Sequence, residues 1–289
     1  MAELVTVAGA TGHLGQWIVR ALHARGFRVR AISRQAEKLQ IFANLPGLET
    51  CVADCRDAQQ AGRAVAGATM VISALGASVS MFSFRDRLGL ADSDLRANCN
   101  LICEAEKAAV RQFLYVSTMH DDHTAELTYV RVHRQIEHQL GSSALSAVII
   151  RPTGFYYALA QMTDMASFGC LPRIGDGQAR TNPIDEQELA HFCVDAMLRG
   201  PGTYPVGGPQ VLSRTDILRA VLAAAHKSPR LMPVPSAVIR AAAWLLTWLH
   251  PRLGHLLQFF AVVSTHDCLA PTFGRRTFSE YLQSQAGTY

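Results

Sequence analysis

Three glycines near the amino terminus have the spacing of a phosphate-binding turn. Gly9, Gly12 and Gly15 follow an alternating valine run, and an amphipathic helical pattern over 17–22 comes after them. Glycine suits a tight turn from strand to helix, a close backbone approach to phosphate, and contact between helix and sheet. The amides and positive dipole at the start of the helix favour an anion. We predict that a dinucleotide's diphosphate binds here, through Gly9, Thr11, Gly12, His13, Leu14 and Gly15.

The second predicted strand, residues 28–33, ends beside basic rather than acidic side chains. Arg34 follows Ser33, and Lys38 lies about one turn later. An acid would bind the ribose hydroxyls of NAD, whereas a guanidinium pairs with a phosphate through two hydrogen bonds. We therefore predict NADP(H) as the cofactor, with Arg34 on its 2′-phosphate and Ser33 and Lys38 in support. The alternative is a solvated charge at the end of the strand.

Two further segments are placed to contact the adenosine half of that cofactor. Asp54 follows a third predicted strand at 48–52 and could accept the amino hydrogens of adenine; the alternative is a simple turn aspartate. Small residues follow a fourth predicted strand at 69–73 and would let the chain pass close to the cofactor. They are Ala74, Leu75 and Gly76.

Strands and helices alternate through the first half of the chain. Helical patterns at 95–109 and 129–140 precede further strands at 113–117 and 147–151. Such alternation predicts an α/β fold, a doubly wound parallel sheet of the Rossmann type with ligands beyond the carboxyl ends of its strands. We expect an NADP-binding Rossmann core over 1–152. A smaller substrate-binding lobe and lid would occupy 153–289, with parts of 181–210 returning to the core.

Composition excludes several classes of function. Among 289 residues 17% are charged and the net charge is +4, with the cations scattered, so no nucleic-acid surface is expected. Seven cysteines without a CxxC pair favour a reducing compartment, and a first strand at the amino terminus leaves no room for a signal peptide. We predict a cytoplasmic protein. No metal site is expected, because the adjacent polar residues 120–123 would rarely converge on one ion.

One late stretch is strongly apolar. Residues 237–263 contain two apolar segments, one rich in leucine and tryptophan and one rich in leucine and phenylalanine, that arginine, histidine and proline interrupt. Neither segment reaches the roughly 20 residues needed to cross a bilayer. Two apolar helices that form a lid, or that lie on a membrane surface, fit this pattern.

Several short motifs follow the glycine loop along the chain. They are RAISR at 30–34, YVST at 115–118, RPTGFY at 151–156, GDG at 175–177, NPID at 182–185 and VGGP at 206–209. Together they resemble the atypical short-chain dehydrogenase/reductases, specifically the NmrA-like NAD(P)-binding group. The resemblance covers residues 5 to about 210 and is specific for the fold but weak for the substrate.

The resemblance implies roles for a few polar residues. Tyr129 would be the proton donor, and Thr118, or Ser117 beside it, would bond the substrate carbonyl. The family places a lysine four residues after the tyrosine, but here that position is His133. A neutral histidine could still bond the cofactor ribose, although it would favour the phenolate less than lysine does. The alternatives are an ordinary tyrosine at a helix start and a surface histidine.

An aromatic and methionine-rich run over 155–168 is the candidate substrate wall, and its alternative is ordinary core. Phe155, Tyr156 and Tyr157 would line an apolar pocket above the nicotinamide, and His120 is a further candidate for substrate contact. The resemblance and this pocket predict an NADPH-dependent oxidoreductase that reduces a hydrophobic carbonyl, quinone or enone. The alternatives are a non-catalytic, NADP-sensing regulator of the NmrA type and a non-redox cyclase or isomerase.

Overall fold

A seven-stranded parallel sheet forms the centre of the molecule. The computed structural model describes residues 3–76, 90–167, 169–228 and 230–286. Its central strands are β1 (Leu4–Ala8), β2 (Arg28–Ser33), β3 (Glu49–Val52), β4 (Met70–Ser73), β5 (Gln112–Val116), β6 (Ser146–Pro152) and β9 (Gly202–Val206). They lie in the order β3-β2-β1-β4-β5-β6-β9. Strands β1, β4 and β5 are buried along their whole length, as expected where helices cover both faces of a sheet.

Helices cover both faces. The bounds are α1 (His13–Ala24), α2 (Ala58–Val65), α3 (Leu90–Lys107), α4 (Thr128–Gly141) and α7 (Glu186–Arg199), with a short 3₁₀ helix at Glu37–Phe42. Helices α1 and α7 pack together on one face, and α2, α3 and α4 on the other, so that two separate apolar cores flank the sheet. In α1, Leu14, Ile18 and Leu22 repeat every four residues and are buried.

The remaining elements form a smaller lobe beyond the sheet. They are α5 (Tyr156–Ala160), α6 (Met162–Ala166), β7 (Leu171–Ile174), β8 (Arg180–Thr181), β10 (Leu212–Ser213), α8 (Arg214–Ala224), β11 (Leu231–Val234), α9 (Ser236–Leu249), α10 (Pro251–Val263) and α11 (Phe278–Ala286). Helices α5, α6, α8 and α11 enclose a third apolar core. Helices α9 and α10 are separated by one residue, His250, and pack against each other as a hairpin.

The predicted Rossmann-type fold is confirmed, with shifts in detail. Helix α3 covers 90–107 rather than 95–109; Ala109 adopts a left-handed backbone with φ of +55°, which is incompatible with continuing the helix. The division at residue 152 stays a prediction, while α7 and β9 lie in the layered core. Within the described ranges, no helix is long and apolar enough to cross a membrane.

Candidate active site

The glycine loop joins β1 to α1 and leaves no room for side chains. Gly9 has φ of +76°, a conformation that favours glycine. A Cβ on Gly9 would lie 2.7 Å from the carbonyl oxygen of Ala74, and one on Gly15 would lie 2.0 Å from the carbonyl oxygen of Gly9. Both clashes are with backbone, so the surrounding chain would have to move. The loop therefore packs directly against the segment that follows β4.

The start of α1 is open to an anion. Gly12 is the N-cap, no side chain caps the helix, and its first turn contains no acid. The first amides of a helix have no partner inside the helix and need an outside acceptor. A loop kept free of side chains and a helix end that lacks a capping group fit the diphosphate of a dinucleotide.

The end of β2 carries the predicted 2′-phosphate ligands on the surface. Arg34 and Lys38 are exposed, and neither forms a hydrogen bond or ion pair with another described residue. Ser33 is buried and its hydroxyl lies 3.4 Å from that of Thr11 in the glycine loop. The loop and the basic strand end are thus neighbours.

Asp54 is held by a guanidinium. Both of its carboxylate oxygens accept hydrogen bonds from Arg56, and these lower the pKa of Asp54. An adenine would have to share or displace that partner. The adenine contact of Asp54 stays a prediction.

Asn98 on α3 fixes the segment after β4, a role that no motif indicated. It accepts a hydrogen bond from the hydroxyl of Ser73 at 2.6 Å and donates one to the carbonyl of Leu75 at 3.4 Å. Residues 74–76 and 12–15 then line the same cavity. Buried polar side chains of this kind set the path of a loop without touching the ligand themselves.

Two tyrosines flank His133. The Tyr115 hydroxyl lies 2.6 Å from His133 Nδ1, and the Tyr129 ring meets the imidazole edge-on at 4.6 Å. Burial lowers the pKa of His133 to about 4, and burial also raises the pKa of both phenols well above the usual value. A protonated Tyr115 therefore donates to Nδ1, which leaves the imidazole proton on Nε2. His133 is a buried, neutral group rather than a surface side chain.

A charged cluster lies one turn further along α4. The buried Glu137 carboxylate accepts two hydrogen bonds from Arg151, and His120 Nε2 lies 3.4 Å away. Burial alone would raise the pKa of Glu137, but the bonds with His120 and Arg151 hold it at about 2. Neither Glu137 nor Arg151 was predicted from sequence. The cluster anchors His120, which the structure places on the cavity wall.

The hydroxyl residues after β5 reach the same wall. Ser117 and Thr118 both line the cavity, and Ser117 is 3% exposed. The Ser117 hydroxyl lies near enough to lower the pKa of the Glu137 carboxyl, although it completes no hydrogen bond within the described part of the chain. A buried hydroxyl without a partner is a donor that a ligand can use.

A cavity of about 510 Å³ connects these groups. It runs from the glycine loop past Tyr129 and His133 to an apolar end. The apolar end is lined by Phe155, Met162, Met165, Phe259, Phe260 and Val263. Its size suits a nicotinamide together with a flat apolar molecule.

Comparison with known proteins is consistent with this geometry. The NAD(P)H-binding family matches residues 9–199. The chain belongs to this NAD(P)H-binding family. The match covers the glycine loop, the basic strand end and the residues around Tyr129, and it confirms the predicted resemblance and cofactor class.

Proteins similar to this chain include reductases. The divinyl chlorophyllide a 8-vinyl-reductase of Arabidopsis thaliana is 25% identical, with 88% of this chain aligned to 66% of the plant protein, about two thirds of its length. The NAD(P)H azoreductase of Xenophilus azovorans is 22% identical over 99% of both chains. The NADPH complex of an Escherichia coli NADPH-dependent quinone oxidoreductase has a TM-score of 0.77 at 18% identity, over 97% of this chain and 99% of that one, which confirms the fold.

The structure places one predicted substrate residue, Tyr156, away from the cavity wall. Tyr156 is fully buried, its hydroxyl donates to the carbonyl of Arg276 at 3.0 Å, and its ring packs on Phe278 and Tyr281. It begins α5, where consecutive residues point about 100° apart, so Tyr156 faces the lobe core while Tyr157 faces the cavity. Tyr157 stacks on His13 with ring centroids 3.3 Å apart. Residue 168, the end of the predicted aromatic run, lies outside the described residues.

The roof of the cavity comes from the late apolar stretch, for which a lid was one of the two predicted roles. Phe259, Phe260 and Val263 come from α10, more than 100 residues along the chain from Tyr129, and the Phe259 ring meets that of Tyr129 edge-on. The apolar pattern over 256–263 predicts a helix but not the surface that the helix covers. The lid hypothesis for residues 237–263 was the signal in the sequence that pointed to this roof.

The buried state of His133 predicts acid sensitivity. The ordinary pKa of 6.5 applies in the unfolded chain, against about 4 in the folded one. Below pH 6.5 the unfolded chain therefore binds a proton that the folded chain rejects. Neutral His133 makes its full contribution to the free energy of unfolding above pH 6.5. That contribution is lost as the pH falls toward 4, and the free energy of unfolding drops by about 2 kcal/mol between pH 6.5 and 5.

Chemical unfolding at pH 7 and pH 5 measures this effect. The drop in unfolding free energy should be smaller by about 2 kcal/mol in His133→Gln than in the parent protein. His191→Gln, at an exposed position on α7, is the matched control and should keep the parent's drop. An equal drop in His133→Gln and the parent would show that His133 does not carry the effect.

Proposed function

We propose that the protein is an NADPH-dependent reductase of a hydrophobic quinone, enone or carbonyl compound. One observation carries the proposal: a single cavity joins the phosphate-binding loop to an apolar chamber whose wall holds a phenol and two hydroxyls. The similarity to two reductases supports this reaction class, and the similarity to the Escherichia coli quinone oxidoreductase supports the substrate class.

The cofactor would lie along the loop and the strand ends. The α1 amides would hold the diphosphate, and Arg34 with Lys38 and Ser33 would hold the 2′-phosphate, which selects NADPH over NADH. Bound NADPH would supply a hydride at its nicotinamide. His133 would donate its Nε2–H to the nicotinamide ribose, a bond that the Tyr115 hydroxyl orients by occupying Nδ1.

Tyr129 and Thr118 would stabilise the substrate oxygen as negative charge develops on it. The Tyr129 phenol forms no hydrogen bond to another described residue, and burial keeps it protonated, so it is a ready donor. With neutral His133 at the lysine position, that position supplies no cation to favour release of the phenol proton. The site thus suits quinones and enones, whose reduction asks less of a protein acid than that of a simple ketone.

Loss of NADPH absorbance with a panel of quinones and enones tests the activity. Tyr129→Phe should lower kcat by about 10- to 100-fold, because a hydrogen bond to developing charge is worth roughly 1.5–3 kcal/mol, while the Kd for NADPH stays within about threefold. Tyr204→Phe, which removes a hydroxyl bonded to the Gly200 carbonyl outside the cavity, is the matched control. Absence of turnover across the panel would contradict the proposal.

A second candidate is a non-catalytic, NADP-sensing regulator. It is favoured by the neutral, hydrogen-bonded His133 at the family's lysine position, because cofactor binding does not require an acid–base group. Binding of both NADPH and NADP⁺ without turnover, together with a partner whose binding differs between the two forms, would support this function over the reductase.

A further inference from the structure

Helix α9 presents a continuous apolar face to solvent. Trp244, Trp248 and Leu249 are 69%, 78% and 75% exposed, and Val238 and Leu245 are each 55% exposed. At about 100° per residue these five side chains fall within an arc of about 140° on one side of the helix. Two tryptophans at this exposure are unusual for a surface that contacts only water.

The exposed face belongs to a well-packed hairpin. The opposite side of α9 packs on α10, where a Cβ on Gly254 would lie 2.5 Å from the backbone nitrogen of Thr247. Helix α10 is in turn attached to the core, because Phe259 contacts Tyr129 and the imidazole of His255 lies 3.3 Å from the Thr128 hydroxyl. The apolar face therefore points outward from a fixed platform.

The charge around this face has one sign. No aspartate or glutamate occurs between Asp216 and Asp267, while that interval contains four arginines and one lysine. Arg240 is exposed and lies next to Trp244 on the rim of the apolar face. Tryptophans flanked by cations and free of acids match the headgroup region of an anionic bilayer.

We propose that the exposed face of α9 docks on the surface of an anionic phospholipid membrane. The helix has 14 residues, about 21 Å in length, so it would lie along the interface rather than cross the roughly 30 Å hydrocarbon layer. A symmetric contact between two copies would instead gather the cations of both hairpins around one interface, with no acid in either hairpin to pair with them. Anionic lipid supplies the missing negative charge.

Docking would place the cavity roof beside the bilayer. The same hairpin that carries Trp244 and Trp248 lines the cavity through Phe259, Phe260 and Val263. On the proposed reductase function, a lipid-dissolved quinone or enone would then enter the cavity from the membrane side. The docking itself depends only on α9.

Vesicle sedimentation tests the docking. The protein should bind mixed phosphatidylcholine/phosphatidylglycerol vesicles more tightly than pure phosphatidylcholine, and salt should weaken the binding. The double variant Trp244→Ser/Trp248→Ser should bind the mixed vesicles at least about tenfold more weakly, because two large apolar side chains no longer insert. Arg240→Glu should also bind them more weakly.

Leu198→Ser is the matched control, since Leu198 is 60% exposed on α7, outside the hairpin. It should bind the mixed vesicles as the parent does. Failure of the parent to bind, or equal binding by the double variant, would overturn the proposal. A dimer in lipid-free solution that the double variant abolishes would assign the face to a second copy instead. An unchanged Kd for NADPH in the double variant verifies its fold, and separates failure of docking from failure of the reductase.

Discussion

Arg34→Glu should weaken NADPH binding by at least about 100-fold while the affinity for NADH changes by no more than about threefold. In the proposed complex the guanidinium makes two charge-assisted hydrogen bonds to the 2′-phosphate, each worth roughly 1.5–3 kcal/mol, and glutamate would add repulsion. Because NADH lacks that phosphate, its binding affinity changes little in the variant. Arg34 forms no hydrogen bond or ion pair with another described residue, so the substitution breaks no contact of either kind there.

Titration calorimetry or fluorescence with both cofactors measures this selectivity. Arg63→Glu makes the same charge change at an exposed position on α2 and should leave both affinities within about twofold, since exposed charges at a distance are screened. Equal losses of affinity for NADPH and NADH in Arg34→Glu would show that Arg34 does not bind the 2′-phosphate. The basic strand end would then be a solvated charge.

Gly15→Ala should lower NADPH affinity at least about 100-fold and destabilise the protein by roughly 1–3 kcal/mol or more. The new methyl would sit 2.0 Å from the Gly9 carbonyl oxygen and 2.7 Å from its carbonyl carbon. Those atoms belong to the loop backbone, so the loop must shift from the position that faces the diphosphate. Thermal unfolding and cofactor titration together measure the two losses.

Two other glycines make the result interpretable. Gly141 is the last residue of α4, and a Cβ there would meet open space. The Gly141→Ala variant should therefore bind NADPH as the parent does. Gly12→Ala meets the Gly9 carbonyl at 3.3 Å, a small clash, so it should fold even if Gly15→Ala does not. Gly12→Ala should still lose about tenfold in NADPH affinity, because Gly12 is the N-cap of α1 and lines the cavity at the proposed diphosphate site. Unchanged affinity in both loop variants would exclude this loop as the diphosphate site.

The fold was predictable because its signals are local. Strand β2 was predicted at 28–33 and occupies those residues, since a buried apolar alternation ends there in a serine and an exposed arginine. Helix α3 was predicted five residues too short at its start, because residues 90–94 lack an apolar run that would set them apart from a loop. Parallel pairing then follows from strands separated by helices.

The cavity was only partly predictable. Residues of one motif share a site because they are adjacent in the chain, so Gly12–Gly15 and Ser117–Thr118 could be placed on the cavity wall from sequence. Tyr156 could not, because which of two adjacent tyrosines faces a cavity depends on where α5 begins and what packs on it. Asn98 and Glu137 carry no motif, and their hydrogen bonds exist only in the folded chain.

By itself the sequence determined the glycine loop, the basic end of β2 and the order of strands and helices, all of which depend on residues close together in the chain. Only the tertiary structure decided that His133 is buried against Tyr115 and neutral, and that α10 roofs the cavity while α9 turns its tryptophans outward. The physical reason is that desolvation and contact between distant segments arise only when the chain packs. Neither leaves a local pattern in the residues involved.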